Sequence, residues 1–305
     1  MTDAQLTFAV PFYRNAAFLR HTLDSIVAQT ELRWRALVID DAGPEPEAAA
    51  VVASYADDRI GYVRNDDNLG LGGNWNRGLD VATTDLVTIL HADDELEPSY
   101  AEVVLAAHGR HPDAVAVHCR ARIIGARGSP VFSLPDVVKR WGRPYTGGRD
   151  LVSRGDAGLA SLLRVNVIVC PTLCFRRSRL DGRRFDGRWG MVLDLDLVAR
   201  LLLDGDTLVG VPDVAFRYRR HPESETSTMN ASAVRFEEEL ALYDELASRT
   251  AARGWTRSAR AARTKVMVRS HLLYRAATDV AAGRWSAARV KLGLLVGRDG
   301  SARVA

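Results

Sequence analysis

The chain has 305 residues, 47% hydrophobic and 26% charged, which is enough apolar material for a large buried core and excludes disorder as the starting assumption. Its 41 Lys and Arg stand against 38 Asp and Glu, a formal net charge of +3, so the whole molecule carries no field suited to nucleic acid and none is expected as a partner. Three cysteines, Cys119, Cys170 and Cys174, argue against a disulfide framework and fit a reducing compartment, and no further His or Cys beside Cys170 and Cys174 completes a zinc set.

LTFAV (6–10) is predicted as a strand, and the stretch after it carries Phe18, Leu19, Leu23, Ile26 and Val27 at helical spacing, with Asn15 placed to cap it. RALVID (35–40) is a second strand, and Pro46 opens an alanine-rich helix to about Tyr55. RIGYVRN supplies a third strand, GGNWNRGLDVA a helix and LVTIL (86–90) a fourth strand. Pro98 then starts a helix to about His108, and AVAVH (114–118) is a fifth strand. Strand–helix–strand units of this length predict an α/β fold, a mostly parallel sheet with helices on both faces.

Between Arg120 and Val165 the pattern weakens under Gly125, Gly128, Pro130, Pro135, Gly142, Pro144, Gly147 and Gly148, which predicts a long loop region holding one helix, GDAGLASLLR, over the ligand crevice. TLCFRR is another strand, DLVARLL a helix and VAFRYRR a closing strand. After Ser232 helices are expected over 233–253, 256–282 and 284–295, a separate segment, which divides the chain into an α/β domain of residues 1–230 and a helical part of 231–305. The N-terminal MTDAQLTFAV lacks the basic region and apolar length of a signal peptide, and no stretch approaches a membrane span, so a cytoplasmic protein is expected.

Ligands in such sheets bind beyond the carboxyl ends of the strands. Asp40 and Asp41 lie at one such end and Asp93 and Asp94 at another, so two carboxylate pairs are expected to converge on one crevice. The first strand runs into VPFYRN, without glycine, and the cluster NLGLGGN has the wrong spacing for a dinucleotide fingerprint; no P-loop is present. Phosphate handling is then left to a divalent cation on carboxylates.

Six stretches, in order, resemble the inverting glycosyltransferases of family 2, of bacterial type, with the GT-A nucleotide-diphospho-sugar transferase fold. FAVPFYRNAAFLRHTLDSIVAQT is similar to that family's opening strand and helix, and VIDDAGPE to its VDDGS-type element. NLGLGGNWNRGLDVA is similar to its Asn/Gly helix, LHADDELEP to its metal-binding DxD region, RFDGRWGMVLDLDLVARL to its catalytic-base region and YRRHPESET to its closing basic segment. The likeness runs through most of residues 6–228.

The resemblance implies a nucleotide site of Pro11, Phe12, Tyr13, Asp40, Asp41, Asn68, Asp93 and Arg219, with the ring of Tyr13 against the base and Arg219, together with Arg220, toward the diphosphate. The alternative for Asp40 and Asp41 is a turn cap. It also implies Mg²⁺ or Mn²⁺ on Asp93 and Asp94, with His221 as a further contact; His91 stands where many relatives have the first Asp of DxD and is taken as a neutral neighbour. Asp194 is implied as the base, with Leu193 where the family has Glu and Asp196 as helix acid or anchor.

The activity that the resemblance implies is that of an inverting hexosyltransferase, moving a sugar from a UDP- or dTDP-type donor to a hydroxyl on a growing glycan, a lipid-linked acceptor or a small product. Its alternative is a catalytically silent regulator of the same fold that binds a nucleotide sugar or glycan. Acceptor choice is assigned to 120–165 and the tail. From Ala251 onward twelve Lys and Arg face only Asp279 and Asp299, a charge bias that reads either as a solvated helix face or as peripheral contact with an anionic inner membrane face; a homodimer through the same helices is the third option.

Overall fold

The computed structural model describes residues 3–131, 148–224 and 233–296. Pro135, Gly142, Pro144 and Gly147 of the predicted loop region, Glu225 and Thr226 of the closing motif, the 230/231 boundary and Asp299 lie outside the described residues.

Among the described residues nine strands form one sheet: β1 (Leu6–Phe12), β2 (Trp34–Asp40), β3 (Ile60–Arg64), β4 (Leu86–Ile89), β5 (Glu95–Leu96), β6 (Ala114–Gly125), β7 (Leu151–Arg154), β8 (Leu173–Arg176) and β9 (Thr207–Arg220). Their order is β3-β2-β1-β4-β8-β6-β9-β5, with β7 on β9. The long ladders, β3-β2-β1-β4 and β6-β9, are parallel; the short strands β8, β5 and β7 run antiparallel to their neighbours.

The chain winds outward from β1 to β3 and then returns to place β4 on the other side of β1. α1 (Ala16–Val27) and α2 (Glu47–Ala53) therefore cover one face and α3 (Gly70–Val81) the other. That reversal beside β1 opens the crevice. Alternation along the strands supplies both faces: Leu6, Phe8, Val10 and Phe12 join the core under α1, α2 and α4 (Tyr100–Arg110), while Ala9, Ile39, Val87 and Ile89 face α3. Gly78 of α3 allows close approach, because a Cβ there would stand 3.0 Å from that of Ala9.

The second face also takes α5 (Gly155–Arg164), α7 (Leu193–Leu203), which comes after the short α6 (Arg177–Leu180), and the C-terminal helices α8 (Val234–Ala252), α9 (Thr256–Thr264), α10 (Val266–Ala281) and α11 (Trp285–Leu295). Phe236, Leu242, Tyr243, Leu246, Ala262, Val268 and Leu272 belong to the same apolar cluster as Ala9 and Val87, so the C-terminal helices share the sheet's core.

Four local expectations are corrected. Asn15 makes no side-chain cap; it sits at φ 72, and the Glu45 carboxylate accepts the N–H groups of Asn15 and Ala16 at 2.9 Å each. The fifth strand runs to Gly125 because β9 pairs with it in parallel along its length. Leu151–Arg154, expected as loop, is an edge strand on β9. The helix predicted over 256–282 breaks at Lys265, at φ 48, with no Gly or Pro to announce it.

Candidate active site

Register places the strand ends level. Phe12 pairs with Asp40 across β1 and β2, and Ala9 with Ile89 across β1 and β4, so Tyr13, Asp41 and the 91–94 turn emerge at one edge of the sheet. They open into a cleft of about 2120 Å³ whose floor is Pro11, Phe12 and Tyr13 and whose walls include Asp41, Asn68, His91, Asp93, Asp194, Arg220 and His221. Single small-ligand pockets span roughly 300–1,000 Å³, so this volume leaves room for two substrates.

Tyr13 is 44% exposed over the cleft. Beneath it, Gly43 cannot carry a side chain, since a Cβ would fall 2.1 Å from the Tyr13 carbonyl oxygen. Asp41 lines the cleft, and its Oδ1 accepts from Asn65 Nδ2 at 2.8 Å and from the Leu69 N–H at 2.9 Å. Asn68 also lines it, with Oδ1 accepting the Gly70 N–H at 2.8 Å at the start of α3.

Asp40 departs from its expected place. It is fully buried, and its oxygens accept from the Gly43 N–H at 2.7 Å, the Tyr62 hydroxyl at 2.5 Å and Arg64 Nη1 at 2.5 Å. Alternation at the end of β2 turns Asp41 to the cleft and Asp40 into the turn, so Asp40 holds the loop under Tyr13.

His91, Asp93 and Asp94 offer ligand atoms that all lie within 4.8 Å of one another. Asp94 is fully buried; its Oδ1 accepts the Arg219 N–H at 2.7 Å, while Oδ2 lacks a hydrogen-bond partner among the described residues, as does the buried Nε2 of His91. Burial first, and then the Asp93 charge, push the Asp94 carboxyl well above the usual range; burial pushes His91 down, toward the neutral form that ligates metal. Burial also opposes ionisation of Asp93, but the hydrogen bond from His221 and the charges of His91 and His221 bring it below the ordinary carboxylate value. Two acids and an imidazole, two of them with an unmatched buried atom, fit a small divalent cation. Trp75, 5% exposed, stacks on His91 at 5.0 Å between ring centres and so packs the imidazole in place.

His221 stands outside that three-residue set. Its Nε2 pairs with Asp93 Oδ2 at 2.9 Å and its ring lies 4.6 Å from that of Phe18, so it orients Asp93. Arg219 does not line the cleft. It is 2% exposed, its guanidinium pairs with Glu95, and it donates to the Asp93 carbonyl at 2.7 Å, Ala126 at 2.9 Å and Gly125 at 3.2 Å. Side chains alternate along β9, so Tyr218 and Arg220 face the cleft while Arg217 and Arg219 turn toward Glu95.

Asp194 lies in the first turn of α7 and lines the cleft. Cys170 feels both ends of the site: burial and then the charges of Asp194 and Asp94 push its thiol up. Asp196 turns away, 1% exposed, and accepts from Arg200 Nε at 2.8 Å, which makes it a helix anchor. Leu193, 1% exposed, is seated against α3, where a Cβ on Gly72 would stand 2.6 Å from its Cδ2.

Two contacts hold the segment that leads into α7. Asn76 exchanges hydrogen bonds with the Phe185 backbone, both at 2.9 Å, and so ties α3 to the segment before α7. Glu238 of α8 accepts three backbone N–H groups in the same segment. Asn76 is one of the asparagines of the motif NLGLGGNWNRGLDVA that the sequence marks as capping or binding residues, whereas Glu238 escaped sequence reasoning because nothing local marks it.

The profile of glycosyl transferase family 2 matches residues 7–169. The uncharacterized protein MT1568 of Mycobacterium tuberculosis is 29% identical over 209 residues, 65% of this chain and 62% of that protein. The succinoglycan biosynthesis protein ExoW of Rhizobium meliloti is 39% identical over 102 residues, 32% of each. Among solved structures, Staphylococcus aureus TarS 1–349 in complex with UDP-GlcNAc superposes with a TM-score of 0.61 at 15% identity, covering 79% of this chain and 66% of that one. The matched region thus spans less than two thirds of each of these relatives.

Proposed function

Since the chain belongs to glycosyl transferase family 2 and has its GT-A fold, we propose that it transfers a hexosyl group, with inversion, from a nucleotide-diphosphate sugar to a hydroxyl acceptor. The carrying observation is that Asp194 and the His91–Asp93–Asp94 cluster line or border one cleft with the Pro11–Tyr13 and Asp41 floor. Tyr13 and Pro11 take the base, and Asp41 the nucleoside. Asp93, with Asp94 and His91, holds Mg²⁺ or Mn²⁺, which when bound supplies charge neutralisation to the departing diphosphate. Of the two arginines expected to meet that diphosphate, Arg220, on the cleft side of β9, is the one that faces it. Asp194 takes the proton of the acceptor hydroxyl as it attacks opposite the leaving group, a contribution of roughly 10²–10⁴ in rate.

UDP or dTDP is the nucleotide class; UDP is the first to test, because TarS of the same fold was solved with UDP-GlcNAc and with UDP. Arg235, Tyr243, His271 and Tyr274 of the C-terminal helices line the far side of the cleft, which supports acceptor binding there. No helix among the described residues is long and apolar enough to cross a membrane. On α11, Trp285, Arg289, Leu292 and Val296 recur at helical spacing, the three apolar ones 68%, 44% and 73% exposed, which supports peripheral contact with an anionic lipid surface.

The test is release of nucleotide diphosphate from a panel of UDP- and dTDP-sugars with Mn²⁺. Turnover that falls by at least about 10²-fold in Asp194→Asn, with donor binding kept, is expected. Donor binding without turnover in the wild type, over donors and acceptors that stabilise the fold, would instead identify the silent regulator.

A further inference from the structure

The segment that carries Asp194 into the cleft is gripped from outside the sheet domain. Glu238 lies in the second turn of α8, half-buried, and its carboxylate accepts three successive backbone N–H groups: Gly190 at 2.8 Å on Oε1, and Met191 and Val192 at 2.7 and 3.3 Å on Oε2. Val192 is the residue from which α7 starts, and its carbonyl accepts the Asp196 N–H at 2.8 Å. Asp194 stands between those two points. A carboxylate at this end of a helix is also favoured by the helix dipole.

The grip is itself anchored. Phe236, two residues back on α8, is fully buried against His271 of α10, and the Tyr243 hydroxyl donates to the Leu163 carbonyl at 2.9 Å. Arg188, just before the gripped segment, reaches Glu245 of α8 at 2.7 Å. On the opposite side Leu193 is wedged against α3 at Gly72. The position of Leu193 is itself apolar and buried, so the acid beside the base segment arrives from α8.

We propose that Glu238 is a positioning residue for Asp194, which makes the C-terminal helices part of the catalytic apparatus. This rests on the assignment of Asp194 as base. Held amides fix the first turn of α7, and with it the direction of the Asp194 carboxylate toward the acceptor hydroxyl. Displacement of a reacting group by about 1 Å costs on the order of 10²-fold in rate, so a loss of about 10- to 100-fold is expected when the grip is removed.

The experiment is a double-mutant cycle in the full chain, on Mn²⁺-dependent release of the nucleoside diphosphate from UDP-GlcNAc or from whichever UDP- or dTDP-sugar of the panel turns over. Glu238→Ala is expected to lower kcat about 10- to 100-fold with the donor KM within about twofold, and to change little when added to Asp194→Asn, since both act through one group. Glu238→Gln, which keeps an acceptor oxygen, should recover part of the loss. Hydrogen exchange of the 188–196 peptide, which needs no substrate, should quicken in Glu238→Ala while the β1 and β4 peptides stay protected. An equal further drop in the Asp194→Asn background, or unchanged exchange at 190–192, overturns the proposal. Full activity of Asp194→Asn itself would instead remove the base assignment, and exchange would still report whether Glu238 holds the segment.

Discussion

Arg219 is the residue for which sequence and structure give opposite expectations, and replacing it separates them. A diphosphate-binding arginine on the cleft wall would be dispensable for folding. In the structure its guanidinium is instead buried against Glu95 and three carbonyl oxygens, and its N–H holds Asp94. Removing one partner of a buried ion pair costs about 3–5 kcal/mol, and since Arg217 still pairs with Glu95 at 2.7 Å the lower end of that range is expected. Total stability of a domain is only about 5–15 kcal/mol, so Arg219→Ala should lose a large share of it. Urea unfolding followed by tryptophan fluorescence measures the loss from the midpoint and slope. UDP affinity in the presence of Mn²⁺, measured below the unfolding temperature, should fall for exposed Arg220→Ala while its stability loss stays well below that of Arg219→Ala. Arg219→Ala with wild-type stability and lost UDP affinity would refute the inward assignment.

Three further outcomes are expected. His108 and His118, 2% and 3% exposed, are both lowered by burial to about 4, so the folded protein excludes protons that the unfolded chain binds from about pH 6.5 downward. Stability is then full above about pH 6.5 and falls toward pH 4, by up to about 3 kcal/mol per group; denaturation midpoints that do not move between about pH 7 and 5 would count against this. Gly43→Ala should displace the Tyr13 loop and weaken UDP binding at least about tenfold while costing about 1–3 kcal/mol, read by calorimetry and unfolding; an unchanged affinity contradicts the close packing under Tyr13. Co-sedimentation with phosphatidylglycerol vesicles should exceed that with phosphatidylcholine and drop in a Trp285→Ser, Leu292→Ser double variant; equal partition, with a concentration-dependent mass in light scattering, would assign the α11 face to a dimer instead.

Much of the fold was legible in the chain itself, because it depended on short-range pattern. Alternation in LTFAV and LVTIL gave strands with two apolar faces, and the paired acids at their ends gave the edge where ligands collect. Parity was harder. In VAFRYRR, residues 217, 219 and 220 are all arginine, and only the pairing of β9 with β5 shows that Arg219 faces Glu95 and Arg220 the cleft. The same holds for Asp40 and Asp41, adjacent and chemically identical until the turn at Gly43 claims one of them. His91 looked like a lost ligand in sequence, yet it joins Asp93 and Asp94 in space. Glu238 was invisible because its partners are backbone amides 46 or more residues away, which leave no residue-type signature.

The central claim of the proposal is that His91, Asp93 and Asp94 would hold a divalent cation that neutralises charge on a nucleotide diphosphate. Calorimetric titration of UDP into chelator-treated protein, with and without Mn²⁺, tests it directly on wild type and a folded Asp93→Asn variant. UDP affinity should rise at least about tenfold with Mn²⁺ in the wild type and lose that dependence in the variant. Equal affinity with and without the metal, or an undiminished metal effect in Asp93→Asn, would contradict it.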